Sequence, residues 1–143
     1  MNELEANFKT LKVNNVIVQA GSSEMKQYNP SFVMSGVNAG NITAVYKLDS
    51  KFLKVYFQYT ATTINAQQFF SFTIGIPSGL TINPLPYSYI NTSAQSTVIG
   101  DSYFHIRQYS IIGNTIQCSL TTTLAPNVGA SVLGQGEFII EIN

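Results

Sequence analysis

Few residues in this chain have the type and spacing that chemistry demands. A serine nucleophile calls for a G-x-S-x-G elbow between a strand and a helix, which lifts the hydroxyl clear of the backbone. Gly75 to Gly79 reads G-I-P-S-G, so Ser78 comes one position late and Pro77 predicts a turn. His105 is the one imidazole. It falls in the alternating set Tyr103, His105, Arg107, Tyr109, which reads as one face of a strand and favours packing or an interface over base catalysis. Glu137 and Glu141 share a strand face. Glycoside hydrolysis needs carboxyl groups about 5–9.5 Å apart, whereas four residues at about 3.4 Å separate these backbones by about 14 Å. A cross-strand acid such as Asp101 would have to close that gap. Cys118, between Gln117 and Ser119, has no neighbouring cation or helix start to make a thiolate of it. The expectation is a protein that is not an enzyme and holds no metal or cofactor.

Recognition of a neutral ligand or of another protein remains. Tyrosine stacks its ring on a sugar while its hydroxyl bonds outward. Tyr87 and Tyr89, with Asn91 and Gln95 close by in a polar stretch, are the candidate ligand-binding residues; the alternative is that one tyrosine packs under a loop and the other is incidental. Phe52, Tyr56 and Phe69 fall on the second face of their strands. Large aromatics there suggest that this face is also covered, by a neighbouring subunit or by a second layer of the same chain.

Composition narrows the classes further. Of 143 residues only 10% are charged, against roughly a quarter in ordinary domains, and seven cations balance seven anions. Ser, Thr, Asn and Gln fill 49 positions, so neutral hydrogen-bonding groups take the place of charge. A hydrophobic share of 45% excludes a disordered chain. Zero net charge provides no field for nucleic acid, where each phosphate contact needs a cation. Lys47, Lys51 and Lys54 gather round one hairpin, but three charges are few for such a groove and suit a soluble sheet edge. One Cys and one His exclude a zinc site or disulfide framework. Met1 to Lys9 contains Glu3 and Glu5 and no apolar run, so no signal peptide is expected, and no window is apolar enough to insert in a membrane. The sequons at Asn41 and Asn91 are of the kind an Asn- and Thr-rich chain produces by chance.

The elements that would position these residues have a period of two. Leu53, Val55, Phe57 and Tyr59 alternate with Phe52, Lys54, Tyr56 and Gln58. Thr43 to Leu48 is a strand before them, with Asp49-Ser50 as the turn. Phe70, Phe72, Ile74 and Ile76 share a face, and Pro77-Ser78-Gly79 ends that strand. Tyr103 to Ser110 and Thr115 to Thr123 form a hairpin about Gly113-Asn114, and Phe138, Ile140 and Ile142 close the core. Short strands separated by Gly, Pro, Asn and Ser predict an all-β fold, an antiparallel β-sandwich. Asn2 to Leu11, with Leu4, Phe8 and Leu11 at helical spacing, is either a short helix or an extended attachment segment. Val13 to Val18 reads as a strand, Ala20 to Asn29 as a loop, and Asn83 to Gly100 as the longest irregular stretch.

The order of these features resembles a known family. Tyr28-Asn29-Pro30-Ser31-Phe32 leads to Ala44-Val45-Tyr46-Lys47-Leu48 and Phe52-Leu53-Lys54-Val55-Tyr56-Phe57. Phe72-Thr73-Ile74-Gly75-Ile76-Pro77-Ser78-Gly79-Leu80 follows, then Gly134-Gln135-Gly136-Glu137-Phe138-Ile139-Ile140-Glu141-Ile142. From about residue 28 to 143 the chain looks like the β-sandwich head modules of bacteriophage fibres and spikes, which are similar to trimeric jelly rolls of the C1q and tumour-necrosis-factor type. The resemblance implies a jelly-roll-like homotrimer on the virion exterior, a spike or fibre head or a capsid-associated protein, made in the host cytoplasm. It implies residues 1–20 as an attachment or collar segment to other virion proteins and 21–143 as the head, with host glycan or protein as receptor. Such modules share no catalytic residues, and their receptor sites vary, so none is carried over. The alternative is a carbohydrate-binding β-sandwich module of a cell-surface protein.

Overall fold

The computed structural model describes residues 11–13, 16–18, 24–63, 68–96, 103–123 and 125–143. These hold β1 (Leu11–Val13), β2 (Val16–Val18), β3 (Lys26–Tyr28), β4 (Phe32–Ser35), β5 (Val37–Asp49) and β6 (Phe52–Thr63). They continue with β7 (Phe69–Gly75), β8 (Ser88–Ser96), β9 (Tyr103–Ile112), β10 (Thr115–Thr121) and β11 (Ser131–Glu141). The described residues contain no helix, and so none long and apolar enough to cross a membrane.

β3 to β11 form one antiparallel nine-stranded sheet in the order β3-β5-β6-β11-β8-β9-β10-β7-β4. The sheet curls until its ends meet. At the seam the Tyr28 hydroxyl of β3 donates to the Gly75 carbonyl of β7 (3.0 Å), the Gly75 N–H donates to Ser31 O (2.9 Å), and the Phe32 ring of β4 lies 5.4 Å from that of Tyr59 on β6. The result is an all-β antiparallel sandwich. One leaf is β3-β5-β6-β11-β8 and the other β9-β10-β7-β4. They are joined through three pairs between β8 and β9, Ser93↔His105, Ala94↔Phe104 and Gln95↔Tyr103. Within it the pairings β6 with β11, β7 with β10 and β8 with β9 are nested, and β11 returns to lie beside β8.

Alternation builds the core. Leu53, Val55, Phe57, Tyr59 and Ala61 of β6 are buried, as are Phe70, Phe72 and Ile74 of β7 and Phe138, Ile140 and Ile142 at the chain end. Rings from both leaves interlock: Phe72 lies 5.7 Å from Phe57 and 5.3 Å from Tyr59, and Phe70 lies 4.9 Å from Phe104. Burying each such side chain contributes about 1.5–3 kcal/mol. Tyr59 fits because β11 carries Gly134 opposite it; a Cβ there would fall within the ring.

Several expectations are corrected. The irregular stretch after Asn83 contains β8. Its inward residues are Ile90, Thr92, Ala94 and Ser96, half of them polar, so the apolar alternation that marks a strand is erased. The expected loop Ala20 to Asn29 contains β3, which is too short to show a period. The turn after β5 is Ser50-Lys51 rather than Asp49-Ser50, because Asp49 still pairs with Phe52 and Ser50 takes φ 58°. In place of one strand over Val13 to Val18, Leu11–Val13 and Val16–Val18 pair antiparallel, with Leu11 opposite Val18 and Val13 opposite Val16. Leu11 is therefore strand, and the remainder of the expected helix, with Leu4 and Phe8, lies outside the described residues. Finally, Leu120 pairs with Ile106 while Ser119 pairs with Gln108, which leaves Arg107 as a bulge residue. Tyr109 then lies opposite buried Cys118, on the core side, and not on the face of Tyr103 and His105.

Candidate functional site

The outward residues of the first leaf align in rows, because residues opposite each other in a ladder share a face. The central row crosses all five strands: Asn91 of β8, Glu137 of β11, Tyr56 of β6, Val45 of β5 and Gln27 of β3. Beside it run Ser93, Gln135, Gln58 and Thr43, then Gln95, Leu133 and Thr60. On the other side run Tyr89, Ile139, Lys54 and Lys47.

The leaf is hollowed along the first two rows. One concavity of about 640 Å³ is lined by Gln27, Thr43, Tyr56, Gln58, Asn91 and Glu137 among others. A second, of about 530 Å³, continues it past Asn41, Thr60, Gln95, Tyr103 and Leu133. Thr43, Gln58, Ser93 and Gln135 line both, so the two make one trough. Among the described residues its one ionisable carboxyl is Glu137, and no Lys or Arg lines it. The Lys54 ammonium is held away by Asp49 (3.2 Å) at the hairpin end.

The expected ligand residues share this face but divide over it. Asn91 and Gln95 line the trough, whereas Tyr87 and Tyr89 lie beyond its end. Tyr89 stands on β8, whereas Tyr87 lies in the irregular stretch just before it. Tyr87 is engaged locally. Its N–H donates to Glu141 Oε1 (3.2 Å), its carbonyl accepts from the Glu141 N–H (3.0 Å), and its ring meets Phe52 edge-on at 6.1 Å. Lys51 bonds the other Glu141 oxygen at 3.0 Å. Hydrogen bonding from Lys51, then from the Tyr87 N–H, holds the Glu141 carboxyl below the usual range. Of the three expected interface residues, Phe52 and Tyr56 lie on this leaf and Phe69 on the outer face of the other.

Sequence reasoning missed Gln27, Thr43, Gln58, Ser93, Gln135 and Glu137 as a group. Their signal is a polar amide or hydroxyl at alternate positions opposite an apolar set, as in Tyr56-x-Gln58 and Gln135-x-Glu137, but only strand order brings the pairs together.

The other candidate chemical groups are dispersed. Ser78 is exposed in the turn Pro77 to Leu80, closed by Leu80 N–H to Pro77 O (3.4 Å). His105 is exposed on β9. Cys118 is buried, and burial pushes its thiol up to about 12. Asp101 lies outside the described residues. Among those described, no three His, Cys, Asp or Glu side chains gather as metal ligands do.

No protein-family model matches the chain, and no curated protein does. Among solved structures it is similar to the C-terminal receptor-binding domain of the avian reovirus fibre sigmaC. That likeness has 10% identity over 84% of this chain and 78% of the other, with a TM-score of 0.46.

Proposed function

We propose that the chain is a non-enzymatic virion structural protein, the head of a homotrimeric phage spike or fibre, with residues 1–20 joining it to other virion proteins and residues 21–143 facing the host. The observation that carries the reading is the outer face of β4, β7, β10 and β9. Val33, Ser35, Phe69, Ser71, Thr73, Thr115, Gln117, Ser119, Thr121, Ser110 and Ile112 occupy it, with Gln108 and His105 opposite Ser119 and Thr121 and the exposed bulge residue Arg107 beside them, and no Asp, Glu or Lys among these. Val33, Phe69 and Ile112 are each about 60% exposed (65%, 59% and 61%). The first leaf, by contrast, bears Lys47, Asp49, Lys54, Glu137 and Glu141. Depletion of charge with exposed aromatic and aliphatic groups is the mark of a face that meets protein. The nested strand pairs support the jelly-roll reading of the sandwich.

Light scattering coupled to size exclusion tests this directly. The expected mass is about three times 15.7 kDa. Ser119→Glu, which places a carboxylate on a face without one, is expected to lower the mass to one chain without lowering the melting temperature of the protomer. A single-chain mass for the unaltered protein across micromolar concentrations refutes the trimeric head and leaves the monomeric carbohydrate-binding module.

A further inference from the structure

We infer that the trough on the outer face of β5, β6, β11 and β8 is a binding site for a neutral oligosaccharide, which deepens the host-facing role proposed above and rests on it for the source of the ligand. Three observations converge. The side-chain amides of Gln27, Gln58, Asn91 and Gln135 have no hydrogen-bond partner among the described residues. Each presents a carbonyl acceptor and an NH2 donor, the complement of a sugar hydroxyl, which donates and accepts at once. Tyr56 stands between Glu137 and Val45 in the central row with 40% of its surface exposed, and a tyrosine face takes the apolar side of a pyranose ring. The two joined concavities, about 640 and 530 Å³, extend along the leaf as a chain of rings does and fall in the usual size range of ligand sites.

Charge selects among sugars. Among the described residues Glu137 is the one carboxylate of the lining and no cation opposes it, which disfavours sialylated or sulfated glycans. A second copy of the chain fits the trough less well than the other leaf, where Val33, Phe69 and Ile112 are exposed and amide groups are fewer.

The test is an array of neutral and sialylated oligosaccharides probed with the labelled full-length chain. Signal is expected on neutral glycans alone. Asn91→Ala and Tyr56→Ala, both at exposed positions, are expected to weaken it more than tenfold with unchanged melting temperature, and Val128→Ser, exposed before β11 and away from both faces, to leave it intact. Absence of signal on every neutral glycan, or signal that survives both trough substitutions, overturns the site. The mass in solution separates the two readings. A trimer that binds no glycan refutes the trough and spares the head, whereas a monomer that binds through Asn91 and Tyr56 refutes the head and spares the trough.

Discussion

Replacing Gly134 by alanine probes the packing that joins β11 to the aromatic core. Gly134 lies opposite Tyr59 on β6 and Ala94 on β8. Its backbone is not left-handed, so alanine brings no conformational penalty, and the effect is steric. The new Cβ would clash with the Tyr59 ring at Cζ and both Cε atoms. The ring therefore has to move. It is surrounded by Phe32 at 5.4 Å, Phe72 at 5.3 Å, Phe57 at 6.2 Å and Phe70 at 6.5 Å. Overpacking of this kind costs about 1–3 kcal/mol, and each aromatic pair disturbed adds about 0.5–1.5 kcal/mol. A loss of about 3 kcal/mol follows, or about 6–12 °C in melting temperature for a chain of this size. Urea denaturation at fixed protomer concentration measures it, since association makes stability depend on concentration. In the Gly134→Ala background, Tyr59→Leu should cost at least about 1 kcal/mol less than in the unaltered protein, because the two positions share one space. A Gly134→Ala variant within about 0.5 kcal/mol of the parent, or an additive pair, would show that the ring does not lie over Gly134.

Other consequences are simpler to read. The Tyr59 hydroxyl is buried without a hydrogen-bond partner, and Thr92, the polar group beside it, gives its own proton to Gln135 O at 2.9 Å. Tyr59→Phe should therefore leave the denaturation midpoint unchanged or raise it, and a loss above about 1 kcal/mol would mean that the hydroxyl has a partner. Glu141 has a depressed carboxyl pKa, so its contribution is present above the usual carboxylate value of about 4.3 and is lost as pH falls through the lower folded value. Melting temperatures of the parent and Glu141→Gln should differ at pH 7, converge on acidification, and differ less in high salt; a gap that widens in acid contradicts the Lys51 contact. Cys118, with its thiol pushed up to about 12, should resist a disulfide reagent until the chain unfolds, and rapid labelling of the native protein would place it at the surface. Asn114 accepts the Ile82 N–H at 3.0 Å through its side chain. Asn114→Ala should cost about 1 kcal/mol in urea denaturation, and no loss would show that the 76–82 segment is held by other contacts.

Legibility followed inward alternation. Leu53 to Tyr59, Phe70 to Ile74 and Phe138 to Ile142 announce themselves because each inward residue is large and apolar, and all are buried as the period requires. β8 escaped because Thr92 and Ser96 are buried polar residues. Their tolerance depends on partners such as Gln135 O, which belongs to a strand more than 40 residues away. The bulge at Arg107 escaped for a related reason: its evidence lies in the pairing with β10 and not in the local pattern. For the site, Asn91 and Gln95 were legible as amides near tyrosines, yet Gln27, Gln58 and Gln135 become their neighbours only through the order β3-β5-β6-β11-β8.

The contrast between the leaves follows from the same nesting. Because β6 pairs with β11 and β7 with β10, each hairpin of the long fold places one arm pair in each leaf, and inward positions of both are constrained alike by the core. Outward positions are free of that constraint, so their composition reports what each face meets. On β7 and β10 those positions are Phe69, Ser71, Thr73, Thr115, Gln117, Ser119 and Thr121, all uncharged. On β6 and β11 they include Lys54, Glu137 and Glu141, with Tyr56, Gln58 and Gln135 in the hollow between. Solvent alone would draw charge to both leaves in similar measure. On the reading proposed above, subunit contact falls on the outer face of β4, β7, β10 and β9 and ligand contact on the outer face of β5, β6, β11 and β8, the two outer faces of one sandwich.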